Sequence, residues 1–429
     1  MIVLEEEELD SVGSKAGTKN IQRIRKDVEN MFLELGHHSR KAYRMSLEEF
    51  VSLHELLEEK LREKFSKNER AARDDERTAP NGIVPTKLRL SCAIRYFAGA
   101  AVYDLILSHG MGRSTIYTSV WGVVDVVNDT DELAFNKDNA PFPSLEEQDE
   151  IAEGFHSVST ACFNNVIGAI DGMLVWIVMP DKKTCRELNT GQITYHCARK
   201  DKYGVNLLAI CDQKKRFIWA SIMRPARSSD YLSFTSSELP RKLENSEIQI
   251  RPGYTLIGDN AFVKKFYMAV PFHGNNKSRL QDSYNFYLSQ LRINIECAFG
   301  ILVHRWGILR RPLSCNVKKV GALTMALMRL HNYCIDSGCG AVHSSTQRDS
   351  ARIAARARQT TGTGGESGRP VELDDDGRPS SLLGSGHHFT DVGGRRPPAA
   401  DDARTPMDDM VDQVESMRLG RPGGPSLYM

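Results

Sequence analysis

The chain has 429 residues, enough for two or three domains. Its 56 Lys+Arg and 55 Asp+Glu leave a net charge of +1, which excludes a globally basic nucleic-acid binder and confines any such surface to a local patch. Nine scattered cysteines without a CxxC pair exclude a disulfide framework, and no run approaches the roughly 18 apolar residues of a membrane span.

The acidic start, with four consecutive glutamates from Glu5, is unlike a secretory signal and points to a soluble, intracellular chain. Helical periodicity is predicted over 21–35 and again over 47–65, where Phe50, Leu53, Leu56, Leu57 and Leu61 share one face. Residues 67–82 are charged and turn-rich and are read as a linker. Helices are then predicted over 87–99 and 102–108, followed by a His-Gly-Met-Gly turn at 109–112. Ser114 is placed as the N-cap of a third helix over 115–127. Helix, helix, Gly-containing turn, helix is the pattern of a helix-turn-helix unit. Arg113, Thr115, Tyr117 and Thr118, near the start of its third helix, are the candidate DNA contacts. The plainer alternative is a small bundle that supports the next domain. Ser144 and Glu147 fit a capping box.

Residues 165–336 carry the densest apolar patterning. A β-branched run at 166–179, interrupted at Asp171-Gly172, reads as a strand. Strands at 205–212 and 217–223 flank the polar turn 213–216 and make a hairpin. A helix at 230–242, a strand at 254–258 ending at Asp259, a long helix at 288–306 and a last helix at 320–335 complete an α/β sheet layered with helices. Residues 340–429 hold 13 of the 33 Gly and 7 of the 17 Pro, with Phe389 and Tyr428 as the aromatics. So little apolar surface cannot offset chain entropy, and a disordered C-terminal tail is expected. Its Arg-rich piece at 351–358 reads as solvated tail before phosphate contact. Cys334 and Cys339 near His331 match no zinc-finger spacing.

Three carboxylates stand in three contexts. Asp171 and Asp259 each follow an apolar strand run, and Glu296 borders the stripe Leu288, Leu291, Ile295, Phe299, Leu302 and Trp306 of the long helix. Hard divalent cations prefer oxygen ligands, and strand ends project side chains into a crevice. Two Mg²⁺ or Mn²⁺ ions held about 4 Å apart activate a nucleophile and neutralise a leaving oxygen in phosphodiester cleavage. Gly172 and Gly258 leave room for close approach. Arg292, one turn before Glu296, can pair with it or grip a phosphate. Each acid alone is more often a turn or a solvated face; their order and placement make them a candidate set. Asp212 stands open as an alternative ligand.

Five short motifs in order resemble the PIF/Harbinger-type transposases of the DDE group. They are Ile-Gly-Ala-Ile-Asp-Gly at 167–172, Tyr-Gly-Val-Asn-Leu-Leu-Ala-Ile-Cys-Asp at 203–212, and Leu-Ile-Gly-Asp-Asn-Ala-Phe at 256–262. The fourth is the block at 285–300 continued through Arg305-Trp306, and the fifth is Leu-His-Asn-Tyr-Cys-Ile at 330–335. The resemblance covers roughly 85–336. It implies an RNase H-like mixed sheet flanked by helices, preceded by an all-α helix-turn-helix unit, with Asp171, Asp259 and Glu296 as catalytic and metal-binding residues. It implies DNA as partner, both transposon ends and target, with Arg292 and Arg305 as further DNA contacts. It also implies action in the nucleus and a Myb-like partner protein; a homodimer acting on two ends is natural, and cytoplasmic presence is compatible. Two departures stand out. The block at 224–234 keeps Asp230 and Phe234 but lacks the family's His, and the stretch after Asp259 is short, though Pro271-Phe272 remains.

The organisation is thus 1–85 helical and linker, 86–164 helix-turn-helix with connecting helices, 165–339 nuclease domain, and 340–429 tail. The competing function is a retained, non-cutting DNA- or protein-binding descendant of a transposase.

Overall fold

A computed structural model of the chain describes residues 23–74, 82–274, 276–338 and 404–422. The acidic run at the N-terminus, part of the linker and the Arg-rich piece lie outside these residues.

Three helices open the described chain: α1 (Val28–Leu35), α2 (Ser39–Tyr43) and α3 (Leu47–Asp74). On α3 the predicted face is buried at Phe50, Leu53, Leu57 and Leu61. The helix runs to Asp74, well into the expected linker, because 66–74 is rich in strong helix formers and holds no Gly or Pro. Next come α4 (Thr86–Phe97), α5 (Val102–His109) and α6 (Arg113–Asn128). The expected Ser114 cap is corrected: Gly112 is the N-cap, and Ser114 already lies in the first turn. The chain turns sharply at Gly110, whose φ of 61° suits glycine, and the helix starts three residues beyond it, at Arg113. Ile116, Val120, Val123, Val124 and Val127 are buried, because α3, α4, α5 and a later helix surround α6. Gly122 lets α3 approach, since a Cβ there would lie 2.3 Å from Phe65 Cζ.

Helix α7 (Leu145–Val158) starts at the expected Ser144–Glu147 capping box. It leads into β1 (Val166–Trp176), followed by α8 (Lys182–Glu187), β2 (His196–Cys197), β3 (Lys202–Cys211) and β4 (Phe217–Pro225). The expected break at Asp171-Gly172 is absent. β3 pairs antiparallel with β1 straight through it, Asp171 with Ala209 and Gly172 with Leu208. The single helix expected at 230–242 is two, α9 (Asp230–Thr235) and α10 (Glu238–Glu244); between them Ser237 is extended and its hydroxyl donates back to Phe234 O at 2.7 Å. Two short strands follow, β5 (Thr255–Ile257) and β6 (Met268–Ala269). The order is β4-β3-β1-β5-β6, antiparallel on the β4 side and parallel from β1 to β6, with β2 on the start of β3.

Helix α11 (Arg279–Arg305) begins earlier than periodicity suggests, at a Ser278–Gln281 capping box. It packs on β1 and β3, and α12 (Val317–Asp336) packs on β4 and α6. The result is a mixed sheet flanked by helices, consistent with an RNase H-like fold. Trp306 fastens the helical part to it. Fully buried, it donates Nε1–H to Leu327 O at 2.8 Å and meets the Phe97 ring edge-on at 6.3 Å. Gly99 and Gly307 touch there backbone to backbone, since a Cβ on Gly307 would lie 2.5 Å from Ala98 O.

One piece of the expected tail departs from that reading. Residues 404–422 carry α13 (Pro406–Ser416), with Met407, Met410 and Val414 buried against α11 and β6. Tail composition averaged over 90 positions hides this amphipathic stretch of about two turns.

Candidate active site

Strand register brings two of the three acids near each other. β1 and β5 run parallel with Ala169 opposite Ile257. Asp171 lies two residues beyond Ala169, and Asp259 two beyond Ile257 and just past the end of β5, near enough that its charge acts on Asp171. Parallel strands lie about 4.8 Å apart, which makes the pair mutually repulsive when both are ionised. Asp171 is thus a mid-strand residue of β1 at the point where β5 stops, rather than the strand-end residue expected. Its carboxyl is pushed up to about 6, first by burial, with Asp259 and Asp230 adding; the Gly172 N–H and Arg292 pull it back. Asp259 Oδ1 accepts from Ala261 N at 2.9 Å, which fixes the turn after β5.

Glu296 arrives from the other layer. The α11 stripe Leu288, Leu291, Ile295, Phe299 and Leu302 is buried as expected, so Glu296, next to Ile295, sits at its border with a side chain 56% exposed. Arg292 stands between, its guanidinium 3.7 Å from Asp171 Oδ2 and 3.7 Å from Glu296 Oε1. Among the described residues no three His, Cys, Asp or Glu side chains gather closely enough to hold a metal ion.

A cavity of about 810 Å³ opens over Asp171 and Glu296, lined also by Asp230, Arg199, Lys200 and Arg310 among others; Asp259 is not part of its lining. Asp230 is the member that sequence reasoning placed only as a retained motif residue. It opens α9, accepts from Asn206 Nδ2 at 2.9 Å, and rests on Gly172, where a Cβ would lie 2.2 Å from its Oδ1. Gly172 is therefore required by the close approach of Asp230. Arg199, Lys200 and Arg310 carry no helical or alternating pattern, so only the folded cavity gathers them.

The donor types fit a hard divalent cation: all are oxygens, and a buried carboxylate beside two others is a local excess of negative charge. The charge has a measurable cost in metal-free protein. A carboxyl raised above its unfolded value favours folding in full below about pH 4 and loses that contribution as pH rises through about 6. Asp171→Asn is accordingly expected to stabilise the metal-free protein at pH 8 by about 2–3 kcal/mol and to give no gain at pH 4. Urea unfolding at both pH values checks this; equal effects at the two would refute the burial of a charged Asp171.

The remaining candidates are placed as follows. Asp212 is buried at the hairpin, where Oδ1 accepts from Arg216 N at 2.8 Å, and it lies beyond the Ala169–Cys211 pair, away from Asp171. Arg305, expected at DNA, is corrected: it is fully buried and donates to His331 O at 2.9 Å. It lies on the core-facing stripe beside Trp306, which its charge concealed. Arg292 faces Asp171 and Glu296 instead of an open surface. On α6, Thr118 is exposed and Arg113 and Thr115 are half-buried. Tyr117 turns inward, stacking edge-on with Tyr96 at 6.3 Å and sharing a crevice with Ile308, Arg311 and Leu313. The burial of α6 on most sides leaves Ser114, Thr118 and Asp125 as its exposed positions.

The mixed sheet flanked by helices is consistent with an RNase H-like α/β domain. Residues 170–332, well under half of the chain, match the family model of the DDE superfamily endonucleases, and the match contains Asp171, Asp259 and Glu296. It supports a DDE transposase-like family and a nuclease- or transposase-type function acting on DNA. No curated protein and no solved structure matches the chain. Among the described residues no helix is long and apolar enough to cross a membrane.

Proposed function

We propose that the protein is a metal-dependent DNA endonuclease of PIF/Harbinger type that cuts transposon ends and transfers strands to a target. The observation that supports this reading is the nearness of Asp171, on β1, to Asp259, just past the end of the parallel strand β5, within the segment similar to DDE endonucleases. Asp171, Asp259 and Glu296 would hold divalent ions, which when bound supply a Lewis acid and an activated water. The chain's own contribution is positional. β1 carries Asp171, Asp259 follows the neighbouring strand β5, α11 brings Glu296, and Arg199, Lys200 and Arg310 border the cavity where a phosphate backbone would be drawn in. Under this reading the protein acts in the nucleus on DNA bound partly through α6, with a Myb-like partner and a second copy on the other end.

A cavity role for Arg310 and a core role for Arg305 are separable. Arg310→Gln is expected to weaken duplex binding and to lower the salt slope by about 1, whereas Arg305→Met leaves both unchanged. Fluorescence anisotropy across a salt series reads this, and an equal loss in both variants would remove the cavity from the DNA path.

The second reading, a DNA-binding descendant that no longer cuts, is favoured by Arg292, whose single positive charge lies 3.7 Å from both Asp171 and Glu296 and would compete with a cation there. Nicking of supercoiled plasmid with Mg²⁺ or Mn²⁺, against a chelator control, distinguishes them. Metal-dependent nicking supports the nuclease; binding without nicking supports the descendant.

A further inference from the structure

The helix α13 is held by more than its own sequence could supply. Isolated helices shorter than about 12–15 residues are marginal in water, and α13 has 11. Its Met407, Met410 and Val414 fall on one face and are buried. Polar contacts clamp it along its whole length. At its start Asn165 Nδ2 donates to Pro406 O at 3.2 Å, and Lys264 pairs with Asp408 at 2.9 Å. In the middle Gln413 Nε2 donates to Asn164 Oδ1 at 2.9 Å. Beyond its end Tyr287 OH donates to Gly420 O at 3.0 Å, and Arg421 pairs with Asp282 at 3.2 Å over the Phe286 ring. The ligand in this groove is an amphipathic helix with anchors at successive turns, the general mode of helix-in-groove recognition.

The groove is built from the two elements that carry Asp259 and Glu296. Lys264 lies in the segment between Asp259 and β6, and β6 pairs with β5. Asp282, Ser283, Phe286 and Tyr287 belong to the first turns of α11, the helix that carries Glu296 farther along. We infer that residues 404–422 are an intramolecular docking segment that braces the turn after Asp259 and the start of α11, so that the far C-terminal region positions the candidate site. Residues 339–403 separate α13 from α12, so its place is fixed by these contacts and not by a short connection.

The test needs no cleavage activity, so its failure is separate from a failure of the proposed function. Hydrogen exchange is measured on the full chain, wild type beside Met410→Asp, which puts a charge into the groove. Exchange at 260–268 and 279–288 is expected to quicken roughly tenfold or more, with β3 unchanged. A labelled peptide of residues 404–422 is expected to bind Met410→Asp and not the wild type, whose groove is filled. Should β3 exchange quicken as well, the milder Val414→Ala decides: local quickening at 260–268 supports the brace. Unchanged exchange at 260–268 in a variant that keeps β3 protected, or a peptide that fails to bind folded Met410→Asp, overturns it.

Discussion

Asp259→Ala is expected to lower metal-dependent DNA nicking by roughly three orders of magnitude or more, the scale on which an electrostatic or metal-held group contributes to phosphoryl chemistry. The size follows from the position. Asp259 follows β5 close to Asp171 on the neighbouring β1, so under the proposed function its loss removes one of the carboxylates that would hold the cation. The same change costs the fold little. Asp259 is half-buried, and its recorded bond is to Ala261 N two residues on. Its removal also relieves a repulsion that raises Asp171, so the stability of the metal-free variant is expected to hold or rise slightly. Nicking rate, duplex affinity and thermal midpoint measured together isolate the effect. A variant that binds DNA, stays folded and cuts within tenfold of the wild type would remove Asp259 from the chemistry.

Trp306→Ala is expected to destabilise the protein by about 3–5 kcal/mol, the usual cost of deleting a buried Trp. Three losses combine. The ring fills the junction between α4, the end of α11 and α12; the edge contact to Phe97 disappears; and Leu327 O loses its Nε1–H donor. Gly99 and Gly307 hold the backbones together at that junction, so the cavity has little freedom to collapse. Trp306→Phe keeps most of the volume and is expected to lose about 1–2 kcal/mol, chiefly for the lost Nε1–H bond to Leu327 O. Denaturant midpoints give both values. An alanine variant within 1 kcal/mol of wild type would mean that the helical part and the sheet are not joined through this residue.

Much of the candidate site was legible before the fold. The stripe from Leu288 to Trp306 reports a helix with one buried face, and Glu296 beside Ile295 had to lie at its edge. The β-branched runs before Asp171 and Asp259 report strands. Other parts were not legible for identifiable reasons. Asp171-Gly172 looks like a turn locally, and only pairing with β3 carries the strand through it. Arg305 looks like a phosphate contact, and only its place on the core-facing stripe buries it. Tyr117 looks like a groove contact, and only packing against Tyr96 turns it inward.

By itself the sequence determined the local states: which runs form helices and strands, where Ser144 caps, and which three acids stand at the borders of apolar segments. These depend on periodicity and side-chain type over a few neighbouring residues. The tertiary structure decided what lies beside what. Parallel register set Asp171 beside Asp259, the absent Cβ of Gly172 admitted Asp230, and α11 placed Arg292 between Asp171 and Glu296. It also laid α13 on the elements that carry two of the acids, across more than a hundred positions of chain. Register and long-range docking arise from pairing and packing between distant segments, and no window of local sequence contains both partners.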